Sequence, residues 1–313
     1  MSNTKSAAMQ RKVGPLAIIL LFTAGLVYSL LFPANRIASE NGVPALGYVL
    51  WISLGGGALM LLACALCGNL PRIERRYLVT YFVGGALSIA APMTLLALAA
   101  PHLPSSVITM IVVLSPLLSY LFALPVKLER FRWLSIAGLL SALSGVLLIL
   151  LPEASLPGPD MVGWVLLTLL TPVSFAFFNI FIDLYAPPKE SGLQLGTGTL
   201  LGASLIMLPI TAIAGDFYLF PGYSSEGDFA VLCAILINAL RWWLMFIIIH
   251  MSGAIFVSQT AYIIVLAGFA WEALFFAGVL SSFIWAAAAL LLVGLAANTY
   301  SKTREQRGMS IST

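Results

Sequence analysis

Apolar residues in this chain gather into long blocks, each closed by a charge, a proline or a cluster of glycines. The blocks lie at roughly residues 13–32, 45–66, 78–99, 103–125, 132–151, 161–183, 194–214, 229–249, 252–275 and 280–299. Each is near the ~20 residues a helix needs to cross a bilayer core. None alternates polar and apolar residues with the period of a membrane barrel strand. Lipid offers the backbone no water, so blocks of this kind predict helices that satisfy their own peptide groups. The pattern predicts an all-α integral membrane protein of about ten transmembrane helices.

Composition agrees and excludes other classes. Hydrophobic residues make up 61% of the 313 and charged residues 9%, with a mean hydropathy of +1.03, whereas soluble domains carry about 25% charged residues. A net charge of +3, broken into short clusters, forms no stripe for nucleic acid. The opening MSNTKSAAMQRKVGPLAIILLF places basic residues before an apolar run, as a signal peptide does. The run continues for about 20 residues with no small-x-small site before FPANRIASENG, so it reads as the first span.

The charges then fix an orientation. With the N-terminus in the cytoplasm, alternate connections carry Lys5, Arg11 and Lys12, then Arg72, Arg75 and Arg76, then Lys127, Arg130 and Arg132, then Lys189, then Lys302, Arg304 and Arg307. Only Arg36, in an external connection, and Arg241, inside a helix, remain. The external connections hold Glu40, Glu153, Asp160, Asp216, Glu226 and Asp228. This sorting is what the positive-inside rule requires of ten helices with both ends cytoplasmic in a plasma membrane of the bacterial inner type. Lys127, Glu129, Arg130 and Arg132, in LSPLLSYLFALPVKLERFRW, form a cytoplasmic anchor between the fourth and fifth helices.

The chain also reads as two halves. ERFRWLSIAGLLSALSGVL and GVLSSFIWAAAALLLVGLA share a break, a run of small residues, and a glycine about 16 residues on, Gly145 and Gly294. Residues 13–152 and 160–300 become five-helix repeats joined by an external linker, 153–159, with cytoplasmic tails 1–12 and 301–313. Five is odd, so the second repeat is inverted relative to the first, the construction of many secondary transporters.

These segments resemble the EamA-type members of the drug/metabolite transporter superfamily over nearly the whole chain. In that family a proline in the fourth helix precedes a glutamate at the helix end, positions matched by Pro116 and Glu129. The closing segment SQTAYIIVLAGFAWEALFFAGVLSS departs from the pattern: Gly278 stands where a glutamate is common, and Glu272 lies six residues earlier. The resemblance implies a transporter of small molecules rather than an enzyme, with no cofactor.

Chemistry-bearing residues are few. Cys64 and Cys67 lack a second pair or a nearby histidine, His102 and His250 fall on opposite sides of the membrane, and zincin and P-loop motifs are absent, so no metal is expected. Pro116 removes a helix hydrogen bond and favours a kink, which makes it a hinge or gating candidate, although neighbours in a membrane bundle also accommodate such prolines without any gating role. Pro92, Pro172 and Pro209 are further breakers near or inside spans.

Arg241 carries the main functional signal. It falls about 12 Å inside the eighth helix, where a charge costs about 2.5–3.5 kcal/mol on insertion scales. Asn238 lies one turn away, Gln259 and Tyr262 share its depth on the ninth helix, and Thr168, Thr171 and Ser174 form a stripe on the sixth. Three readings stay open for Arg241: a substrate-facing cation, a structural group bonded to broken-helix carbonyls, or a snorkelling side chain near a helix end. Glu272 falls about 30 Å along the ninth helix, near the outer surface, so no carboxylate marks the midplane. The expectation is a secondary carrier, an exporter of a small metabolite such as an amino acid or other carboxylate. The substrate candidates are Arg241, Asn238, Gln259, Tyr262, Thr171 and Ser174. A proton-coupled multidrug exporter and a non-transporting, lipid-binding partner protein are the alternatives.

Overall fold

A computed structural model describes residues 15–149, 161–187, 190–220, 225–252, 254–276 and 282–311. Gly278 and the linker 153–159 lie outside the described residues. The described chain is all-helical, in ten helices: α1 Pro15–Glu40, α2 Ala45–Leu66, α3 Arg75–Ala99, α4 Ser105–Ala123 and α5 Trp133–Ile149, then α6 Met161–Tyr185, α7 Gly192–Ala214, α8 Ser225–Ser252, α9 Phe256–Phe276 and α10 Ser282–Ile311. Nine of them are long and apolar enough to cross a membrane, and α5 is shorter but equally apolar.

The boundaries correct the sequence reading at one functional place. The first helix does not stop near residue 32 but turns at Leu30 and resumes through Glu40. Pro33 sits in the first turn of the resumed segment, where its missing N–H would have had no helical partner. Arg36 is therefore helical and not in a connection. α6 repeats the device: it turns at Leu169 and resumes with Pro172 in its first turn. Leu30 and Leu169 share nearly the same backbone angles, φ −64°, ψ −19° and φ −61°, ψ −19°. α4 turns at Val113 and Leu114, just before Pro116, and α3 carries a π-helical segment over Ala86–Ala90 ahead of Pro92. Such turns free backbone groups that neighbouring helices must satisfy.

Packing follows a rule of five. α2 packs on α7, α4 on α9 and α5 on α10; α3 packs on α6 as α8 does on α1, α4 on α6 as α9 on α1, and α3 on α7 as α8 on α2. The α5–α10 crossing is glycine on glycine, with Gly138 against the Gly294 carbonyl and Gly294 against that of Gly138. A Cβ at either position would collide with backbone, so these residues set how closely the helices approach.

Polar clasps close the two ends. At the end bearing KLERFR, the basic end, Glu129 pairs with Arg132 at 2.6 Å and with Lys302 of α10 at 2.8 Å. The Arg132 guanidinium lies 4.9 Å over the Tyr120 ring, whose hydroxyl accepts from the Arg132 backbone N–H at 2.7 Å. At the same end Gln194 Nε2 donates to the Leu70 carbonyl, and Tyr81 donates to Glu190, whose carboxyl burial holds above its usual range. At the opposite end Trp51 Nε1 donates to the Tyr218 carbonyl at 2.6 Å. Burial, with the Asp228 carboxylate beside it, pushes the Tyr218 phenol up to about 12, so it donates to Asp228 throughout the neutral range.

Candidate functional site

The helical turns leave room between them. A cavity of about 230 Å³ is lined by Ala24 and Tyr28 of α1, Ser88 of α3, Ser115 of α4, Phe175, Phe178 and Asn179 of α6, Arg241, Trp242, Met245 and Ile248 of α8, and Val257 and Thr260 of α9. Ser88 belongs to the π-helical segment, Ser115 follows the α4 turn, and Thr260 follows the α9 turn at Gln259. Most of the wall is apolar or aromatic, with a few polar groups, as in small-ligand sites. Among the described residues that line it there is no carboxylate.

Arg241 supplies the formal charge of this wall. Its guanidinium carbon lies 4.4 Å over the Tyr28 ring and 5.2 Å over the Trp242 ring. Among the described residues it has neither ion-pair nor hydrogen-bond partner. The ring faces attract the cation without neutralising it, and they leave its in-plane N–H donors uncommitted. Trp242 is 6% exposed, and its buried Nε1–H has no acceptor among the described residues. A strongly directional cation and an orphan indole donor thus come from consecutive residues of α8.

The other candidates from the sequence are occupied elsewhere. Asn238 Nδ2 donates to the Ile52 carbonyl of α2 at 3.0 Å. Ser174 Oγ donates to the Leu87 carbonyl at 2.7 Å, satisfying a backbone acceptor of the π-helical segment. Tyr262 shares a hydrogen bond with Thr299 of α10 at 3.2 Å. Gln259 is the turn residue of α9 and not a member of a continuous helix. Thr171 is fully buried, with its hydroxyl unpartnered among the described residues, and Thr168 bonds back to the Trp164 carbonyl. None of these lines the cavity. Pro116 is adjacent to it, following Ser115 in the first turn after the α4 break.

Sequence reasoning places Asn179 nearer the cytoplasm on the sixth helix without counting it among the site candidates, and does not single out Tyr28 or Thr260. Asn179 Nδ2 donates to Ser119 Oγ at 2.9 Å, joining α6 to α4 at the cavity edge. Glu272 is only 3% exposed and lies away from this wall. Its Oε1 accepts from Arg36 Nη1 at 2.9 Å and its Oε2 from the Ser105 backbone N–H at 2.7 Å. It caps the start of α4, where the helix dipole favours an anion.

A bundle of apolar helices of spanning length, with a part-polar cavity inside it, defines a multi-pass membrane protein. Residues 15–151 match the EamA-like transporter family and form an EamA-like domain. Over that stretch, somewhat under half of the chain, the sequence is similar to a family of membrane transporters. A solved crystal structure of a protein aligns with 91% of this chain and 97% of its own, at 21% identity and a TM-score of 0.65. That likeness is one of fold, over most of the chain. No curated protein matches the chain.

Proposed function

We propose that the protein is a secondary exporter of a small anionic metabolite, an amino acid or other carboxylate, working by alternating access between two inverted five-helix repeats. The observation that carries this reading is the unneutralised Arg241 guanidinium in the cavity wall. Guanidinium donors match a carboxylate bidentately, and the orphan Trp242 N–H stands next to them in the chain. The aromatic wall of Phe175, Phe178 and Trp242 accommodates an apolar body. A volume of about 230 Å³ falls below the ~300–1,000 Å³ usual for drug-sized ligands, which favours a metabolite over a bulky drug. Helix contacts that recur five helices along, with matched turns in α1 and α6, support the inverted repeat. Such a pair can rock around a shared midplane site, and the α4 turn before Pro116 is the proposed hinge.

The basic end is assigned to the cytoplasm of a plasma membrane. Cys67, exposed at that end, should then react with an impermeant maleimide only after permeabilisation, whereas Glu226→Cys should react in intact cells. The reverse pattern would overturn the orientation. A proton-coupled multidrug exporter is disfavoured because Glu272 is committed to Arg36 and Ser105 and the described residues of the wall include no carboxylate to exchange protons.

The test of function compares metabolite export from cells with and without the chain, followed by flux of the identified substrate in liposomes. Arg241→Met should abolish flux at unchanged yield and melting temperature, and Arg241→Lys should raise the apparent substrate constant. Ligand-induced stabilisation, which scales as RT ln(1 + [L]/Kd), should vanish with the methionine. A well-folded Arg241→Met protein with full flux and stabilisation would remove Arg241 from the site. Absence of flux from the unaltered protein for every metabolite screened would favour a non-transporting, lipid-binding role.

A further inference from the structure

A second recess, sharing no lining residue with the cavity, lies at the basic end between the start of α5 and the end of α10. It is an open groove of about 480 Å³ lined by Arg130, Phe131, Arg132, Trp133, Leu134, Ser301 and Arg304. Three of its seven residues are arginines and none is acidic. Arg132 is fixed by Glu129 and by the Tyr120 ring, but Arg130 and Arg304 are exposed and have no ion-pair partner among the described residues. Two cations lining one groove repel each other unless an anion joins them.

Two further features narrow the anion. α5 begins at Trp133, and its first two residues, Trp133 and Leu134, line the groove, so the positive end of a 17-residue helix dipole adds to the arginine charge. Beside this charge stand Trp133, 78% exposed, and Phe131, 56% exposed, packed edge to face with ring centroids 4.9 Å apart. A soluble phosphate has no use for exposed indole and phenyl rings, whereas a lipid brings glycerol and acyl chain past them at the depth where such rings anchor.

We infer that this groove is a binding site for the phosphate headgroup of an anionic phospholipid, held by Arg130, Arg132 and Arg304 and flanked by Phe131 and Trp133. Basic recesses between helices on the cytoplasmic side suit such headgroups. The bound lipid bridges α5 to α10, reinforcing the clasp that Glu129 makes with Lys302. The site is independent of the Arg241 cavity, and its test does not depend on transport.

The full-length protein is purified in detergent and titrated with phosphatidylglycerol, phosphatidylcholine, and soluble glycerol phosphate, with bound lipid read by native mass spectrometry and stability by melting. Phosphatidylglycerol should be retained and should raise the melting temperature, while the other two should do neither. Arg130→Gln and Arg304→Gln should each weaken phosphatidylglycerol binding roughly fivefold, from the ~1 kcal/mol per basic group at a lipid surface, and the pair together about 25-fold. The melting temperature of each variant in phosphatidylcholine should stay at the unaltered value, because neither side chain has an ion-pair partner among the described residues. Retention of phosphatidylglycerol unchanged in the double variant would overturn the site. Equal stabilisation of the unaltered protein by glycerol phosphate would overturn the lipid and leave a free-phosphate site.

Discussion

Two arginines of this bundle meet opposite surroundings. Arg36, on the resumed half of α1, pairs with Glu40 and Glu272 at 2.8 and 2.9 Å and lies 3.9 Å over the Phe276 ring. Among the described residues Arg241 has rings alone, at 4.4 and 5.2 Å. A structural cation in a membrane protein brings its own counter-ions, because leaving one unpaired costs more than the pair returns. Arg36 meets that condition and ties α1, α9 and the start of α4 together at the end away from the basic loops. Arg241 does not meet it, and an anion that arrives only as cargo would complete it. The contrast separates a group that holds the bundle together from one that leaves room for substrate.

The largest effect should come from making Arg241 resemble Arg36. Tyr28→Glu places a carboxylate where the ring now faces the guanidinium. Flux of an anionic substrate should be lost and ligand-induced stabilisation with it, while the melting temperature stays level or rises. Retained flux would mean that the charge of Arg241 is not what the substrate reads. Liposome flux and melting of the same preparation decide between these outcomes.

The converse change removes the partner from Arg36. Glu272→Gln leaves a guanidinium with its exposed partner Glu40 only and withdraws the anion from the Ser105 N–H. The loss should be about 3 kcal/mol, the low end for breaking a buried pair because Glu40 remains. The double change Arg36→Met with Glu272→Met should recover most of it, since two apolar groups of similar size replace a pair that was costly to desolvate. Melting in detergent checks both. A double variant no more stable than Glu272→Gln would show that the capping of Ser105, and not the ion pair, is the main contribution of Glu272.

Much of this arrangement was legible in the sequence, and the limits have physical causes. Span positions, the charge sorting and Arg241 itself follow from block length and from the cost of charge in lipid. The continuation of α1 through Pro33 did not, because proline signals a break but not whether the helix resumes beyond it. The pairing of Arg36 with Glu272 joins residues 236 positions apart, and no local pattern announces it. Side-chain direction was hidden as well. Helices such as α9 are apolar on nearly every face, so Tyr262 and Thr260, two residues apart, gave no sign that one reaches α10 and the other the cavity. Asn238 and Ser174 were drawn into the site as scarce polar groups in apolar helices, yet each satisfies a carbonyl of a neighbouring helix. In a bilayer that is the commoner duty of a small polar side chain.

The smallest effect sharpens the comparison with a third arginine. Arg132 has a partner like Arg36, but its clasp sits at the rim: the Glu129 side chain is 25% exposed and that of Lys302 31%. Water already solvates these charges in part, so the pair returns little and salt screens it. Glu129→Gln should cost about 1 kcal/mol or less, and the difference from the unaltered protein should shrink as salt is raised toward 1 M, where the screening length falls to about 3 Å. The loss caused by Glu272→Gln should persist in the same salt series, because its carboxylate is 4% exposed and beyond the reach of the ion atmosphere. Melting curves of the two variants across one salt titration give the answer. If both losses decline together, the outer pair is as wet as the rim, and the distinction between a sealed structural cation and a screened one does not hold for this bundle.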